Sequence, residues 1–124
     1  MAYLRLSLME PQPGAEAEAL RILEELDASL SDAPGLLFSL VLSYPKQRLG
    51  RISVWMAKDD LNREATNAHI LSLRSRLRFL ALELEETLLE VESGYLPEGF
   101  NSLLNAAKLP AHFPTGARQA ALPG

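Results

Sequence analysis

This sequence holds two imidazole side chains, His69 and His112. His69 falls near the edge of an apolar seam that repeats at helical spacing. As a base, with an ordinary pKa of ~6.5, such an imidazole takes a proton from a phenol. As structure, it is a partly buried, hydrogen-bonded side chain. His112 has no titratable cluster around it, and two histidines this far apart in a chain without cysteine do not make a metal site. Arg74, Arg76 and Arg78 form the one basic run. On a helix surface they face solvent and pair with Glu83 or the acidic first helix, each exposed pair contributing at most ~1 kcal/mol; an anion site is the alternative. Glu90 and Glu92 alternate along one strand face, where Arg5 of a neighbouring strand is expected to meet them. No Gly-rich phosphate loop, nucleophile elbow or nucleic-acid motif occurs.

The elements that must position these residues follow from periodicity. Residues 2–9 alternate, with Leu4, Leu6 and Leu8 on one side and Tyr3, Arg5 and Ser7 on the other, which predicts a strand ended by Pro11, Pro13 and Gly14. Ala15, Ala19, Ile22, Leu23, Leu26 and Leu30 lie on one stripe, predicting a helix over 15–30, with Glu16 and Glu18 in the turn where negative charge suits the dipole. Residues 31–35 stop it. Residues 36–44 read as a second, largely buried strand, joined through a short hairpin connection to a third over 51–56. In that third strand Ile52, Val54 and Met56 form the more apolar register, which would turn Trp55 away from the helices. A short helical turn over 60–65 then feeds a longer helix over 67–83, with Asn67 among the N-cap candidates and Ile70, Leu73, Leu77, Leu80 and Leu84 along its seam. A fourth strand over 87–93 places Leu89 and Val91 opposite Leu88, Glu90 and Glu92.

The order β-α-β-β-α-β predicts an α+β, ferredoxin-like sandwich: a four-stranded antiparallel sheet with both helices on one face. Its other face is partly apolar and would be bare in a monomer, so a symmetric homodimer is the expected cover. Residues 1–94 make this domain. Residues 95–124 form a C-terminal extension with one short helical candidate over 101–108, and its apolar residues are expected to pack on the outer side of the long helix, near Leu71, Phe79 and Leu82, or on a partner subunit.

The 124 residues suit one domain, and 48% hydrophobic with 23% charged content is that of a globular chain. A net charge of −4 supplies no broad basic field for nucleic acid or an anionic membrane. The N-terminal residues lack a signal-peptide h-region, and no apolar run approaches the ~20 residues of a membrane helix. The expected location is cytoplasmic.

With this element order, the Pro13-Gly14 entry to the first helix, the Pro34-Gly35 exit, and a third-strand tryptophan followed by a helix bearing a histidine, the sequence over residues 1–94 resembles the antibiotic-biosynthesis-monooxygenase-like family of dimeric α/β barrels. The resemblance implies a barrel formed across a dimer, a pocket between sheet and helices in each subunit, and Trp55 turned toward the helices. It implies oxygenation of an aromatic or quinol-like compound without a cofactor, with Trp55 and Phe38 stacking on the substrate, His69 as base, and Ser53 and Asn67 orienting its oxygens. Haem-degrading members place an asparagine on the first strand, where this chain has Leu4, Arg5, Leu6 and Ser7. They also hold tryptophan and histidine about one helical turn closer than Trp55 and His69. The alternative expectation is a non-catalytic dimeric module that binds a small apolar ligand or merely assembles.

Overall fold

The computed structural model describes residues 2–64 and 66–95. The helical candidate over 101–108, the docking of the extension and His112 lie outside the described residues. The chain divides into Met1–Glu92 and Ser93–Gly124, and the account below concerns the first unit. Its elements run β1 (Ala2–Pro11), α1 (Glu16–Ser29), β2 (Leu36–Tyr44), β3 (Arg48–Trp55), α2 (Lys58–Glu64), α3 (Ala68–Leu80) and β4 (Ala81–Val91). The sheet order is β2-β3-β1-β4, antiparallel throughout. This is the expected α+β, ferredoxin-like arrangement.

Helix α1 forms where its apolar stripe can be buried: Ala19, Ile22, Leu23 and Leu26 are all inaccessible. They pack with Ile70, Leu73 and Leu77 of α3 and with Met9 and Leu49 of the sheet into one core. Ile22 and Leu73 are each 1% exposed, and burying side chains of that size stabilises the fold by about 1.5–3 kcal/mol apiece. Gly14 and Gly35 both take φ of +83° at the ends of the α1 segment, a backbone region open to glycine. The carbonyl of Gly35 accepts from Met56 N at 2.8 Å, which ties the start of β2 to the end of β3. At the β2–β3 hairpin the chain turns through Lys46 and Gln47, both with positive φ.

Three expectations shift. The third strand begins at Arg48, because pairing with β2 runs up to Tyr44 opposite Arg48. The helical turn before α3 is a helix over Lys58–Glu64. Most consequential, α3 ends at Leu80 and the next residue already belongs to β4. The periodicity misled here because Leu80 and Leu84, four residues apart, fit a period of two as well as a helical seam. Long-range pairing decides it. Gln12 N donates to Leu80 O at 2.8 Å and Gln12 Nε2 to Phe79 O at 3.1 Å, satisfying carbonyls at the helix end. Pro11 then stands opposite Ala81 in the ladder. Leu82 is therefore a strand residue, 58% exposed, and Leu71 and Phe79 remain exposed on α3.

The cross-strand register assigns every side chain to a face, since paired residues share one face and successive residues alternate. Arg51 bonds to Asp27 of α1, so its face is the one beneath the helices. That face carries Arg5, Ser7 and Met9 of β1, Leu49, Arg51, Ser53 and Trp55 of β3, and Leu84 and Glu86 of β4. The opposite face carries Leu4, Leu6, Leu8, Ile52, Val54, Leu89, Leu40 and Leu42, with Phe38 paired to Val54. The apolar register of the third strand thus points away from the helices, and the core register is the one containing Arg51, Ser53 and Trp55. Periodicity ranked the two faces by hydrophobicity, but here the helices cover the more polar one.

Candidate active site between sheet and helices

The helices bury charge as well as leucine. Arg51 is 5% exposed, and its Nε donates to Asp27 Oδ1 at 3.1 Å. Its Nη2 is buried with no hydrogen-bond partner among the described residues. Desolvation lowers the Arg51 pKa against the opposing pull of Asp27. Glu64, near the end of α2, is 8% exposed, and its Oε2 is likewise buried without a partner among the described residues. Burial raises the Glu64 pKa, while Arg51, Arg5 and Arg74 in that order pull it down. Arg5 is half-buried on β1, and desolvation together with the neighbouring Arg74 lowers its pKa. Arg74 reaches from α3 to β4, where its Nη2 donates to Glu86 Oε1 at 2.7 Å and Oε2 at 2.8 Å. Ser7 Oγ completes that arrangement by donating to Glu86 Oε2 at 3.2 Å.

Of these groups Arg5, Ser7, Arg51, Arg74 and Glu86, but not Asp27 or Glu64, border a cleft between α1, α3 and the sheet that holds about 30 Å³ of free space, room for about two waters or one small polar group. Arg5, Arg51, Arg74 and Arg78 line it together with Glu86, and leucines such as Leu23, Leu49 and Leu77 form the apolar walls. Chemically, the cleft can hold an anion against guanidinium groups while a buried carboxyl stands close enough to feel the same charges.

The residues anticipated from sequence are distributed differently. Trp55 is 2% exposed on the helix-facing side, as the family resemblance implied, and its Nε1 donates to Ser53 Oγ at 3.0 Å. Ser53 is 1% exposed and shares that face. Phe38 lies across from Val54 and so occupies the opposite face from Trp55. Asn67 caps α3, its Oδ1 accepting from Ile70 N at 3.1 Å. His69 is 57% exposed and sits 3.5 Å from Glu25 of α1. The structure therefore brings Trp55 and Ser53 together, and none of Trp55, Ser53, Phe38, Asn67 and His69 is in the cleft lining.

The partners expected for the arginines also change. The register puts Leu88 opposite Arg5 and Glu90 opposite Tyr3, and Arg74 pairs with Glu86 rather than with Glu83 or α1. The cluster of Arg5, Arg51, Glu64 and Glu86 was not anticipated as a site. Its signal in the sequence is a charged residue inside an alternating strand, between leucines in Leu4-Arg5-Leu6 and before Ile52 at Arg51. Among the described residues no group of histidine and carboxylate side chains is placed to hold a metal ion, and no helix is long and apolar enough to cross a membrane.

Neither a family model nor a curated protein sequence matches the chain. Solved structures do. The chain is similar to SnoaB, a cofactor-independent oxygenase from Streptomyces nogalater, at 23% identity and a TM-score of 0.68, over 78% of this chain and 98% of that one. It is similar to Rv0793 from Mycobacterium tuberculosis at 14% identity and a TM-score of 0.71, over 76% and 98% of the two chains. A protein from Chloroflexus aurantiacus J-10-fl named for antibiotic biosynthesis monooxygenases aligns at 22% identity and a TM-score of 0.62, covering 78% of this chain and 100% of the other. At these identities the likeness establishes the fold: the chain has the architecture of antibiotic-biosynthesis-monooxygenase-like proteins.

Proposed function

We propose that this protein is a small cofactor-independent monooxygenase of an aromatic or quinol-like compound, acting as a homodimer. In such chemistry the substrate is its own reductant. A deprotonated polyphenol gives one electron to O2, the radical pair recombines into a carbon–oxygen bond, and loss of water leaves a carbonyl. One oxygen atom enters the product and the other leaves as water. The protein need only desolvate the anion, orient it and accept its proton. The observation that supports this reading most is a buried donor with an open valence, Arg51 Nη2, on a residue lining a cleft that an inert sandwich would fill with leucine, with the Glu64 carboxyl near enough to feel the same charge. Two groups are candidates for the proton acceptor. Glu64 is buried beside the arginines, whereas His69 stands at the surface against Glu25.

The test is oxygen consumption with a panel of dihydroxynaphthalenes and quinols. Turnover by the wild type, a fall of about a hundredfold or more in Glu64→Gln, and a change below about twofold in His69→Ala are the expected results. Turnover lost in His69→Ala and kept in Glu64→Gln would return the base to the histidine.

The second reading, a non-catalytic dimeric module for a small ligand, is favoured by the small free volume of the cleft. An absence of oxygen uptake with every compound selects it.

A further inference from the structure

We propose that the cleft recognises a carboxylate, so that the ligand is a small aromatic acid whose anionic end docks on Arg5, Arg51 and Arg78. The inference rests on the site described above, and it names what the proposed reading leaves open, the class of compound.

The first observation is an excess of positive charge, in which four lining arginines face Glu86 in the lining and Asp27 and Glu64 close by. Guanidinium groups do not discharge by losing a proton in proteins, so a surplus of them in a desolvated space calls for a counter-anion. Two of the four are already engaged. Arg74 is bound to Glu86, and Arg51 to Asp27 through Nε. Arg5 has no ion pair at contact distance among the described residues, and Ser53 and Leu88 stand opposite it on the adjacent strands, while Glu86 and Glu64 act on it from further off.

The second observation is directional. Asp27 holds Arg51 by one edge of the guanidinium and leaves Nη2 buried without an acceptor among the described residues. A pre-oriented donor of this kind is the half of a recognition contact that the protein supplies in advance. Arg78 stands exposed on α3 at the rim, where an entering anion meets it first.

The third is size and charge. Free space of about 30 Å³ suits a planar group the size of a carboxylate but not a polycycle, and a carboxylate matches the fork geometry of arginine. Asp27, Glu64 and Glu86 already stand around these arginines. A monoanion is therefore favoured over a phosphate dianion. The cleft takes the carboxylate, and the ring that carries it lies outside, on the side of the exposed Arg78.

The experiment uses the full chain and a matched probe pair, 2-hydroxybenzoate and 2-hydroxybenzamide, titrated by calorimetry and by ligand-detected NMR. The acid is expected to bind at least about tenfold more tightly than the amide. Arg5→Gln is expected to remove most of that preference, Arg5→Lys to restore part of it, and Arg78→Gln to reduce it about two- to fivefold. Arg78 is exposed, so its variant stays informative if Arg5→Gln fails to fold. Equal binding of acid and amide, failure of both to bind, or a preference undiminished in the variants that fold overturns the proposal. Oxygen uptake with neutral quinols and no preference for the acid sinks this inference and leaves the monooxygenase reading standing. Tight, arginine-dependent binding of the acid with no oxygen uptake from any compound does the reverse.

Discussion

The two faces of the sheet are built on opposite rules. Beneath the helices, the β1 and β3 face carries Arg5, Ser7, Arg51 and Ser53 among its buried apolar residues, and it carries Trp55 beside them. On the side away from the helices, the same two strands present Leu4, Leu6, Leu8, Ile52 and Val54. A monomer designed only for stability would do the reverse and place the leucines under the helices. The covered face has given up part of its apolar burial to hold charges whose desolvation is costly. That pattern is what a site requires. The face away from the helices is leucine-rich, the kind of surface that a second copy of the chain would bury.

The sharpest way to break this comparison is to charge the leucine-rich face. Leu6→Asp is expected to convert the proposed homodimer to monomer, since an unpaired carboxylate in an apolar interface costs roughly 4 kcal/mol. Sedimentation velocity reads this directly, and a wild type already monomeric at micromolar concentration would show that the face needs no partner. On the covered face the largest effect is expected from Asp27→Ala, which strands the buried Arg51 charge and lowers stability by about 3 kcal/mol in urea denaturation.

Glu64 gives a smaller effect with a definite sign. Its folded-state pKa is raised, so the folded protein holds that proton to higher pH than the unfolded chain does. The stability associated with it is full below the unfolded carboxyl value and is lost as pH rises through the folded one. Glu64→Gln should thus leave stability near pH 4 almost unchanged and raise it at pH 8 relative to wild type. A parallel pH dependence in the two proteins would mean that Glu64 is not desolvated. The smallest change is expected from His69→Ala, because its contact with Glu25 is exposed on both sides; a loss beyond about 0.5 kcal/mol would argue for a larger structural role.

Much of the fold was legible because local rules and packing agree in it. The α1 stripe, the glycines that end its segment and the order of the strands are all set by periodicity and turn chemistry. The α3–β4 boundary was not, since Leu80 and Leu84 satisfy both periods and only pairing with β1 separates them. The site was legible in part. Trp55 and Ser53 do share a buried face, but strand alternation alone preferred the wrong side, because hydrophobicity marks which face gets buried and does not say what buries it. Arg51 and Glu64 are distant in sequence, on a strand and on a short helix, and only tertiary packing gives them a common environment. His69 drew notice as an ionisable imidazole, a property of its type, whereas the surface position against Glu25 depends on how α1 and α3 pack.

The direct passage from Leu80 of α3 into Ala81 of β4 has an engineering consequence. With no loop between them, an extra residue must be taken up within β4, which already carries a register shift opposite Glu10 and Pro11. One amino acid inserted beyond that shift, between Glu83 and Leu84, would slide the rest of β4 by a step against β1, turn Glu86 to the opposite face and place Glu85 under Arg74. A single-codon insertion would therefore exchange the chemistry of both faces along the rest of that strand. Insertions at the exposed Lys46–Gln47 turn, by contrast, should be absorbed with little change. The joint works as a ratchet tooth, holding the leucine-rich and arginine-rich sides of the sheet in phase.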